Sequence, residues 1–206
     1  MQLALISTAN RHHHDSVTLA AALVFSHIIL GPTDRPLVSF QVEKRGTFVI
    51  ELRPDQAPKL VEHFLGLVDK GFYDRILFHR RVDGFVIQAG DPKSRKTATA
   101  WAVKNPGESG GTKTLGEGGS GQTVPYEIND LTHVKHSVGM ALAGAMSDTG
   151  DSQFFINLKD NFRLNGMYCV FGMVVEGNSV ISKIQRGDRI LKASREKAPK
   201  PQKTDW

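Results

Sequence analysis

The stretch Phe78-His79-Arg80-Arg81-Val82-Asp83-Gly84-Phe85-Val86-Ile87-Gln88-Ala89-Gly90-Asp91 decides the fold of this chain. It predicts two short apolar strands at residues 76–82 and 85–88, joined at Asp83-Gly84, because this dipeptide readily adopts the positive φ of a tight hairpin turn. Alternation places Phe78 and Arg80 on one face of the first strand, and Gln88 on the second strand can present its amide near the guanidinium. We therefore expect a cation held on a sheet among aromatic side chains; the alternative is an ordinary solvated arginine at a barrel rim.

Four stretches of the chain resemble one known protein family. The first, with Phe78-His79-Arg80, Gly84-Phe85, Gln88 and Gly90-Asp91, resembles the central motif of the cyclophilins, the peptidyl-prolyl cis-trans isomerases. The other three resemble the glycine loop of bacterial cyclophilins (Gly116-Glu117-Gly118-Gly119-Ser120-Gly121, then Val124-Pro125-Tyr126-Glu127), the second signature (Ser137-Val138-Gly139-Met140-Ala141 with Ser152-Gln153-Phe154-Phe155-Ile156) and the third (Leu164-Asn165-Gly166-Met167-Tyr168-Cys169-Val170-Phe171-Gly172). They follow the family order between about residues 36 and 191.

The resemblance implies both a fold and an activity. The fold is mainly β, a closed antiparallel eight-stranded β-barrel capped by two α-helices at residues 36–191. The activity is isomerisation of Xaa-Pro bonds in polypeptides, which assists protein folding and needs no metal or organic cofactor. The expected partners are proline-containing polypeptides, and the protein is expected to be a monomer that neither binds nucleic acid nor inserts stably into membranes. The alternative function is a module or scaffold that grips proline-containing segments with little turnover.

The resemblance also assigns roles to individual residues. Arg80 takes the catalytic role, and Gln88 orients it and hydrogen-bonds the peptide backbone. The substrate-binding residues comprise the lining of a proline pocket (Phe85, Val86, Phe155, Leu164), its rim (Tyr168), a main-chain segment that pairs with the substrate (Ala141, Leu142, Ala143) with Gln153 beside it, and Arg163. The apolar members could equally be plain core residues of a barrel, but apolar and polar residues occur together at matching positions.

The site departs from the family pattern at four positions. Val86 stands where the family usually has Met, Leu142 where it often has Asn, and Tyr168 where it often has His. Arg163 occupies the position of a Trp in cyclosporin-sensitive members. We expect isomerase activity to survive these changes. Cyclosporin binding is expected to be weak or absent, because a hydrated cation replaces an aromatic hydrogen-bond donor.

Periodicity divides the rest of the domain into strands and helices. Strands at 37–43 and 47–52 flank the turn Lys44-Arg45-Gly46, and a helix with an i, i+3/i+4 apolar face runs from Pro58 until Gly71 stops it. Further strands are predicted at 136–142, 153–158 and 168–175. A second helix is predicted at 177–187, and residues 188–191 return the chain to the sheet.

Composition limits the remaining possibilities. The 206 residues, 40% of them apolar, suit one domain with a substantial core. Residues 183–206 hold eight Lys or Arg against three Asp or Glu, which accounts for the whole formal charge of +5. This predicts a basic, disordered tail at 192–206, whose one aromatic residue argues against nucleic-acid binding. A single cysteine, Cys169, excludes an internal disulfide, and no metal site is predicted.

Two segments fall outside the resemblance. Residues 1–35 are an N-terminal extension in which 17–30 hold 11 apolar residues of 14, fewer than the ~20 that span a bilayer. An export signal, a weakly helical or disordered extension and a wrongly chosen start codon remain open, with a cytoplasmic location favoured over an exported, periplasmic one. The loop at 92–115 is longer than the matching connection in short cyclophilins, and its role is not predicted.

Overall fold

The computed structural model describes residues 35–98 and 115–196. Within them, eight antiparallel strands form one strongly curled sheet in the order β3-β4-β6-β5-β7-β2-β1-β8, accompanied by two α-helices. The strands are β1 (Leu37–Val42), β2 (Gly46–Leu52), β3 (Arg80–Val82), β4 (Val86–Ala89), β5 (Ser137–Met140), β6 (Phe154–Asn157), β7 (Val170–Glu176) and β8 (Ile190–Arg195), and the helices are α1 (Pro58–Asp69) and α2 (Asn178–Lys183).

The first hairpin forms as predicted. β1 and β2 pair around a turn in which Lys44 and Gly46 have φ angles of 60° and 115°. The register places Phe40 opposite Phe48, and their rings stack with centroids 5.2 Å apart. Local turn chemistry and a cross-strand aromatic pair therefore specify the same register.

Helix α1 is also confirmed, and a distant residue supplies its cap. Pro58 begins the helix, while Ala57 before it has no side chain able to accept from the exposed N–H groups. The carboxylate of Glu127 accepts those bonds instead, from the backbone N–H of Lys59 at 3.1 Å and of Leu60 at 2.8 Å. A loop near the glycine stretch is thereby tied to the helix.

The strand predicted at residues 76–82 is shorter than expected. Only Arg80–Val82 pairs with β4, whereas residues 75–78 exchange backbone hydrogen bonds with residues 187–190. Phe78 consequently lies in the buried core while Arg80 is exposed, so the expected shared face of these two side chains is wrong. The turn at Asp83-Gly84 is confirmed, with Gly84 at φ 63° and Phe85 N–H donating to the Val82 carbonyl.

The last strand extends beyond the predicted end of the domain. β8 pairs with β1 as far as Arg195, so residues 192–195, which were predicted to lie in the tail, belong to the sheet. Ala193 is buried there, and Arg195 donates to the Asp69 carboxylate at 2.7 Å. The alternation of charged and small residues hid this strand, because only one of its faces meets the core.

One aromatic-rich core fills the inside of the curled sheet. Phe64 on α1 reaches the rings of Tyr73, Phe154 and Phe171 at centroid distances of 5.1, 5.7 and 5.0 Å. α2 lies against β2. None of the helices in the described residues is long and apolar enough to cross a membrane. The predictions for residues 1–34, 99–114 and 197–206 lie outside the described part of the chain.

Candidate active site

Arg80 is held at the edge of the sheet by its strand partner. It stands directly opposite Gln88 in the β3–β4 register, and one guanidinium nitrogen donates to Gln88 Oε1 at 3.3 Å. The guanidinium carbon lies 5.9 Å from the ring centroid of Phe85, and the side chain remains exposed. Arg80 is therefore oriented by an amide and an aromatic face while its other N–H groups remain accessible.

A chain of side-chain amides continues from Gln88. Its Nε2 donates to Gln153 Oε1 at 3.0 Å, and Gln153 Nε2 donates to the carbonyls of Gly116 at 2.9 Å and Gly118 at 2.8 Å. Because the backbone carbonyls can only accept, the orientation of both amides follows. Gln88 Oε1 is thereby directed toward Arg80, which ties the glycine loop to the arginine.

Two carboxylates hold the glycine loop itself. Asp91 accepts from the backbone N–H of Lys93 at 2.8 Å and of Gly116 at 2.6 Å. Asp151 accepts from Ser120 N–H at 2.8 Å and from Gly121 N–H at 2.9 Å. A Cβ on Gly118 would lie 2.0 Å from an Asp91 oxygen, so this approach requires glycine. Sequence reasoning did not identify these carboxylates as parts of the site.

Beside Arg80 lies a small apolar cluster that is separate from the main core. Three buried side chains form it, and three half-buried ones pack against them; these are Val86, Phe155 and Leu164, then Phe85, Ala141 and Tyr168. The Phe155 and Tyr168 rings meet edge to face at 5.8 Å. The structure thus brings together six of the predicted substrate-binding residues in one apolar cluster, and we call this cluster, with Arg80 beside it, the groove.

The back of this cluster is shaped by Gly139 and His133. A Cβ on Gly139 would lie 2.4 Å from the Phe155 ring. The His133 ring stacks on the same Phe155 ring, with the two centroids 5.6 Å apart. His133 Nδ1 lies 3.1 Å from Asn157 Nδ2, which can only donate, so Nε2 carries the hydrogen and donates to the Tyr168 carbonyl at 3.0 Å. Burial lowers the pKa of His133, and the Tyr168 carbonyl partly opposes that shift.

The segment predicted to pair with a substrate main chain is partly engaged already. Ala141 N–H donates to the Gln153 carbonyl at 2.9 Å, and Ala143 N–H donates to Thr149 Oγ1 at 2.9 Å. Leu142 packs against the main core and not against the apolar cluster. Any pairing with a substrate by this segment therefore falls to its other main-chain groups.

Arg163 lies at the opposite end of the cluster from the glycine loop. Its guanidinium carbon is 4.6 Å from the Phe85 ring centroid, so Phe85 is contacted by two arginines. The side chain is exposed.

Within residues 35–98 and 115–196, no group of three or more His, Cys, Asp or Glu side chains is placed to hold a metal ion.

Comparison with known proteins identifies the family. Residues 37–204 match the family model described as cyclophilin type peptidyl-prolyl cis-trans isomerase/CLD. The chain is 35% identical over 150 residues to a peptidyl-prolyl cis-trans isomerase of Synechococcus elongatus, covering 72% of this chain and 88% of the relative. It is 35% identical over 149 residues to peptidyl-prolyl cis-trans isomerase B of Bacillus subtilis, covering 72% and 90%.

Solved structures give the same result. A crystal structure of a Cryptosporidium parvum cyclophilin type peptidyl-prolyl cis-trans isomerase superposes with a TM-score of 0.65 at 26% identity, covering 81% of this chain and 100% of the other. A structure of the same protein in the presence of the dipeptide Ala-Pro gives a TM-score of 0.64 at 25% identity, covering 79% and 99%. The chain therefore belongs to the cyclophilin-type peptidyl-prolyl cis-trans isomerases.

Proposed function

We propose that this protein accelerates rotation about Xaa-Pro bonds in polypeptides and that Arg80 is its catalytic residue. The observation that carries the proposal is the position of Arg80 beside the apolar cluster, held by the amide of Gln88. The isomerase activity for which its relatives are named supports the same reaction. A Cryptosporidium relative studied with Ala-Pro supports proline-containing peptides as substrates.

The reaction needs no bond to be broken and no proton to be transferred. Amide resonance keeps the bond planar and sets a barrier of about 18–20 kcal/mol. In the twisted transition state the proline nitrogen loses conjugation and gains a lone pair that can accept a hydrogen bond. A guanidinium aimed at that nitrogen binds the transition state more tightly than the planar ground state, which is the condition for catalysis.

The arginine supplies only part of the acceleration. A charge-assisted hydrogen bond contributes about 1.5–3 kcal/mol, which corresponds to roughly tenfold to a hundredfold in rate. The apolar cluster supplies the remainder by holding the proline ring while the preceding residue turns. In this assignment Phe85, Val86, Phe155 and Leu164 line the proline pocket, and Tyr168 forms its rim.

The amide chain has a distinct role in the proposal. Because Gln88 is fixed by Gln153, and Gln153 by the Gly116 and Gly118 carbonyls, Arg80 is oriented before the substrate arrives. Pre-orientation lowers the cost of ordering a long side chain in the transition state. The main-chain segment Ala141 to Ala143 borders Gln153 and is proposed to contact the substrate backbone.

The test is an NMR exchange or protease-coupled assay on an Xaa-Pro tetrapeptide. The unaltered protein should accelerate exchange, and Arg80→Ala should lower kcat/KM roughly tenfold to a hundredfold while thermal unfolding is unchanged, because an exposed side chain is removed. Arg75→Ala, which removes another exposed arginine outside the cluster, is the matched control and should keep full activity. The rate should also survive exhaustive chelation.

Two results would contradict the proposal. Peptide binding without accelerated exchange would identify a proline-binding module instead of an enzyme. Turnover by Arg80→Ala equal to that of the Arg75→Ala control would remove Arg80 from the mechanism.

We also propose that the curled sheet closes into the barrel that the resemblance implies. The supporting observation is the set of backbone hydrogen bonds between residues 75–78 and 187–190, which lie next to the two edge strands β3 and β8. Arg75 N–H donates to the Ile190 carbonyl and Phe78 N–H to the Asp188 carbonyl, each at 2.8 Å. The isomerase domain would then span about residues 36–195.

A further inference from the structure

An open cavity lies next to Phe85 at the end of the groove remote from the glycine loop. It has a volume of about 530 Å³ and is bounded by the turn at residues 83–85 on one side and by residues 159–163 on the other. The Phe85 ring belongs to the apolar cluster and also borders this cavity. A peptide that places a proline against Phe85 must therefore pass one of its flanks beside the cavity.

Of the four charged side chains that line the cavity, only Asp83 has an ion-pair partner among the described residues. Asp83 accepts from Arg81 Nε at 2.7 Å, and Asp160 accepts from the backbone N–H of Lys135 at 2.8 Å. In contrast, neither Lys159 nor Arg163 has a carboxylate of the described residues within the 4.0 Å of an ion pair. With Asp83 paired to Arg81, the two cations and the remaining Asp160 leave the cavity with a net positive charge, and both cations are available to an incoming group.

Arg163 is held in a position suited to binding a carboxylate. Its guanidinium covers the Phe85 ring at 4.6 Å, and the Phe85 carbonyl accepts from Leu158 N–H at 2.8 Å and from Asn161 Nδ2 at 3.0 Å. These bonds tie the segment that carries Arg163 to the turn that carries Phe85. With one face of the guanidinium on the ring, its N–H edge can bind a carboxylate through two parallel hydrogen bonds.

We propose that this cavity is a subsite for an acidic side chain of the substrate. Resting on the isomerase function proposed above, it gives the protein a preference for Xaa-Pro sequences that carry Asp or Glu close to the proline, on the flank that reaches Arg163. Lys159 adds a second positive charge to the same space. Because the carboxylates of Asp91 and Asp151 hold the glycine loop at the other end of the apolar cluster, the preference applies to one flank only.

The experiment measures selectivity within each variant. Two pairs of proline peptides are compared, with Glu or Gln placed next to the proline on its amino side or on its carboxyl side. On one side the Glu peptide should have a kcat/KM about threefold to fivefold higher at low salt, the range of an exposed ion pair, and on the other side the ratio should be near one. At roughly 1 M salt, where the Debye length is about 3 Å, the preference should disappear.

Variants assign the effect to its residues. Arg163→Gln should bring the ratio close to one, Arg163→Glu should invert it, and Lys159→Gln should reduce it partly. Arg195→Gln, an exposed arginine on β8, is the matched control and should leave the ratio unchanged.

The outcomes separate this inference from the proposed function. Failure to turn over the Gln peptides would overturn the isomerase proposal itself. Normal turnover of the Gln peptides with no Glu preference, or with a preference that persists in Arg163→Gln, would overturn the subsite alone. An equal preference on both flanks would also overturn it, because it would reflect general attraction of acidic peptides and not a local site.

Discussion

Two neighbouring phenylalanines of β6 belong to different regions of the molecule. Phe154 is fully buried in the main core, with the rings of Phe40 and Tyr73 at 5.5 and 5.6 Å. Phe155 points to the other face of the sheet, where Tyr168 and His133 surround it at the mouth of the groove. Phe154 is enclosed by aromatic rings. Phe155 is 6% exposed and stacks on His133, which hydrogen bonds to Asn157 and Tyr168 hold in place. The comparison indicates that the proposed proline pocket is a second, smaller apolar cluster, supported by polar contacts between loops and not by the main core.

The largest effect is expected when this comparison is tested by truncation. Phe64→Ala should cost about 3–5 kcal/mol of unfolding free energy, because Phe64 contacts four aromatic rings in the core. Each folded molecule should nevertheless retain its kcat/KM. Phe155→Ala should lose most of its turnover per folded molecule, since it removes the wall of the proposed pocket. Denaturant unfolding and the exchange assay measure the two quantities separately.

Two more conservative substitutions keep the test valid if an alanine variant does not fold. Phe64→Leu and Phe155→Leu keep apolar side chains at both positions, and the same division between stability and turnover should appear at smaller magnitude. Loss of turnover in strict proportion to the folded fraction at both positions would show that Phe155 is only a core residue.

Local signals account for the parts of the fold that sequence analysis predicted well. The turn Lys44-Arg45-Gly46, the helix start at Pro58 and its stop at Gly71 each act within a few residues, and the corresponding elements form. The length of β3 and the end of β8 were wrong because both depend on pairing with strands far away in the chain. The alternation of apolar and polar residues along a strand does not indicate which distant strand it pairs with.

The site shows the same division. The family motifs contain the apolar cluster and Arg80, and the structure brings them together. The hydrogen bonds that support the site were not predicted, because they join residues of separate loops, such as Asp151 with Ser120 and His133 with Tyr168. Phe154 and Phe155 cannot be told apart by composition, because every residue of β6 is buried. Only the register decides which ring faces the groove.

His79 represents a third environment between the core and the groove. It follows Phe78 in the core and precedes the exposed Arg80, and neither of its buried ring nitrogens has a hydrogen-bond partner. Burial lowers the pKa of His79 to about 4, although Asp91 opposes the shift. The folded protein therefore holds this histidine neutral at a pH where the unfolded chain would protonate it.

This difference predicts a loss of stability in acid. A histidine whose pKa is depressed on folding contributes stability above its unfolded pKa of about 6.5, and that contribution is lost as the pH falls toward its folded pKa of about 4. Each pH unit in this window should cost about 1.4 kcal/mol of unfolding free energy, or roughly 3 kcal/mol in total. Denaturant unfolding measured across the window tests it.

The variant His79→Gln separates titration from packing. It should flatten the dependence on pH by about one proton between pH ~6.5 and ~4, leaving the smaller contributions of His133 and His136, whose pKa values burial also lowers. A uniform loss of stability with an unchanged slope would mean that His79 matters only for packing.

The smallest effect concerns an inhibitor at the rim of the groove. Cyclosporin is a large apolar cyclic peptide, and sensitive cyclophilins offer it a Trp at the position that the resemblance matches to Arg163. Here a hydrated guanidinium covers Phe85 in place of an indole, at 4.6 Å from the ring. Arg163→Trp should restore apolar area and an N–H donor, and should tighten cyclosporin binding about tenfold, or about 1.4 kcal/mol.

A second substitution decides which property of position 163 matters. Arg163→Ala removes the cation without supplying an aromatic donor, so it should bind cyclosporin almost as weakly as the unaltered protein when titrated alongside Arg163→Trp. If alanine tightened binding as much as tryptophan did, the charge alone would be the barrier. If all three proteins bound equally, position 163 would not contact the inhibitor, and the match of residues 163–166 to the family motif would have to be redrawn. The same Arg163→Trp protein should lose its preference for acidic peptides, since the substitution removes the cation that is proposed to attract a carboxylate.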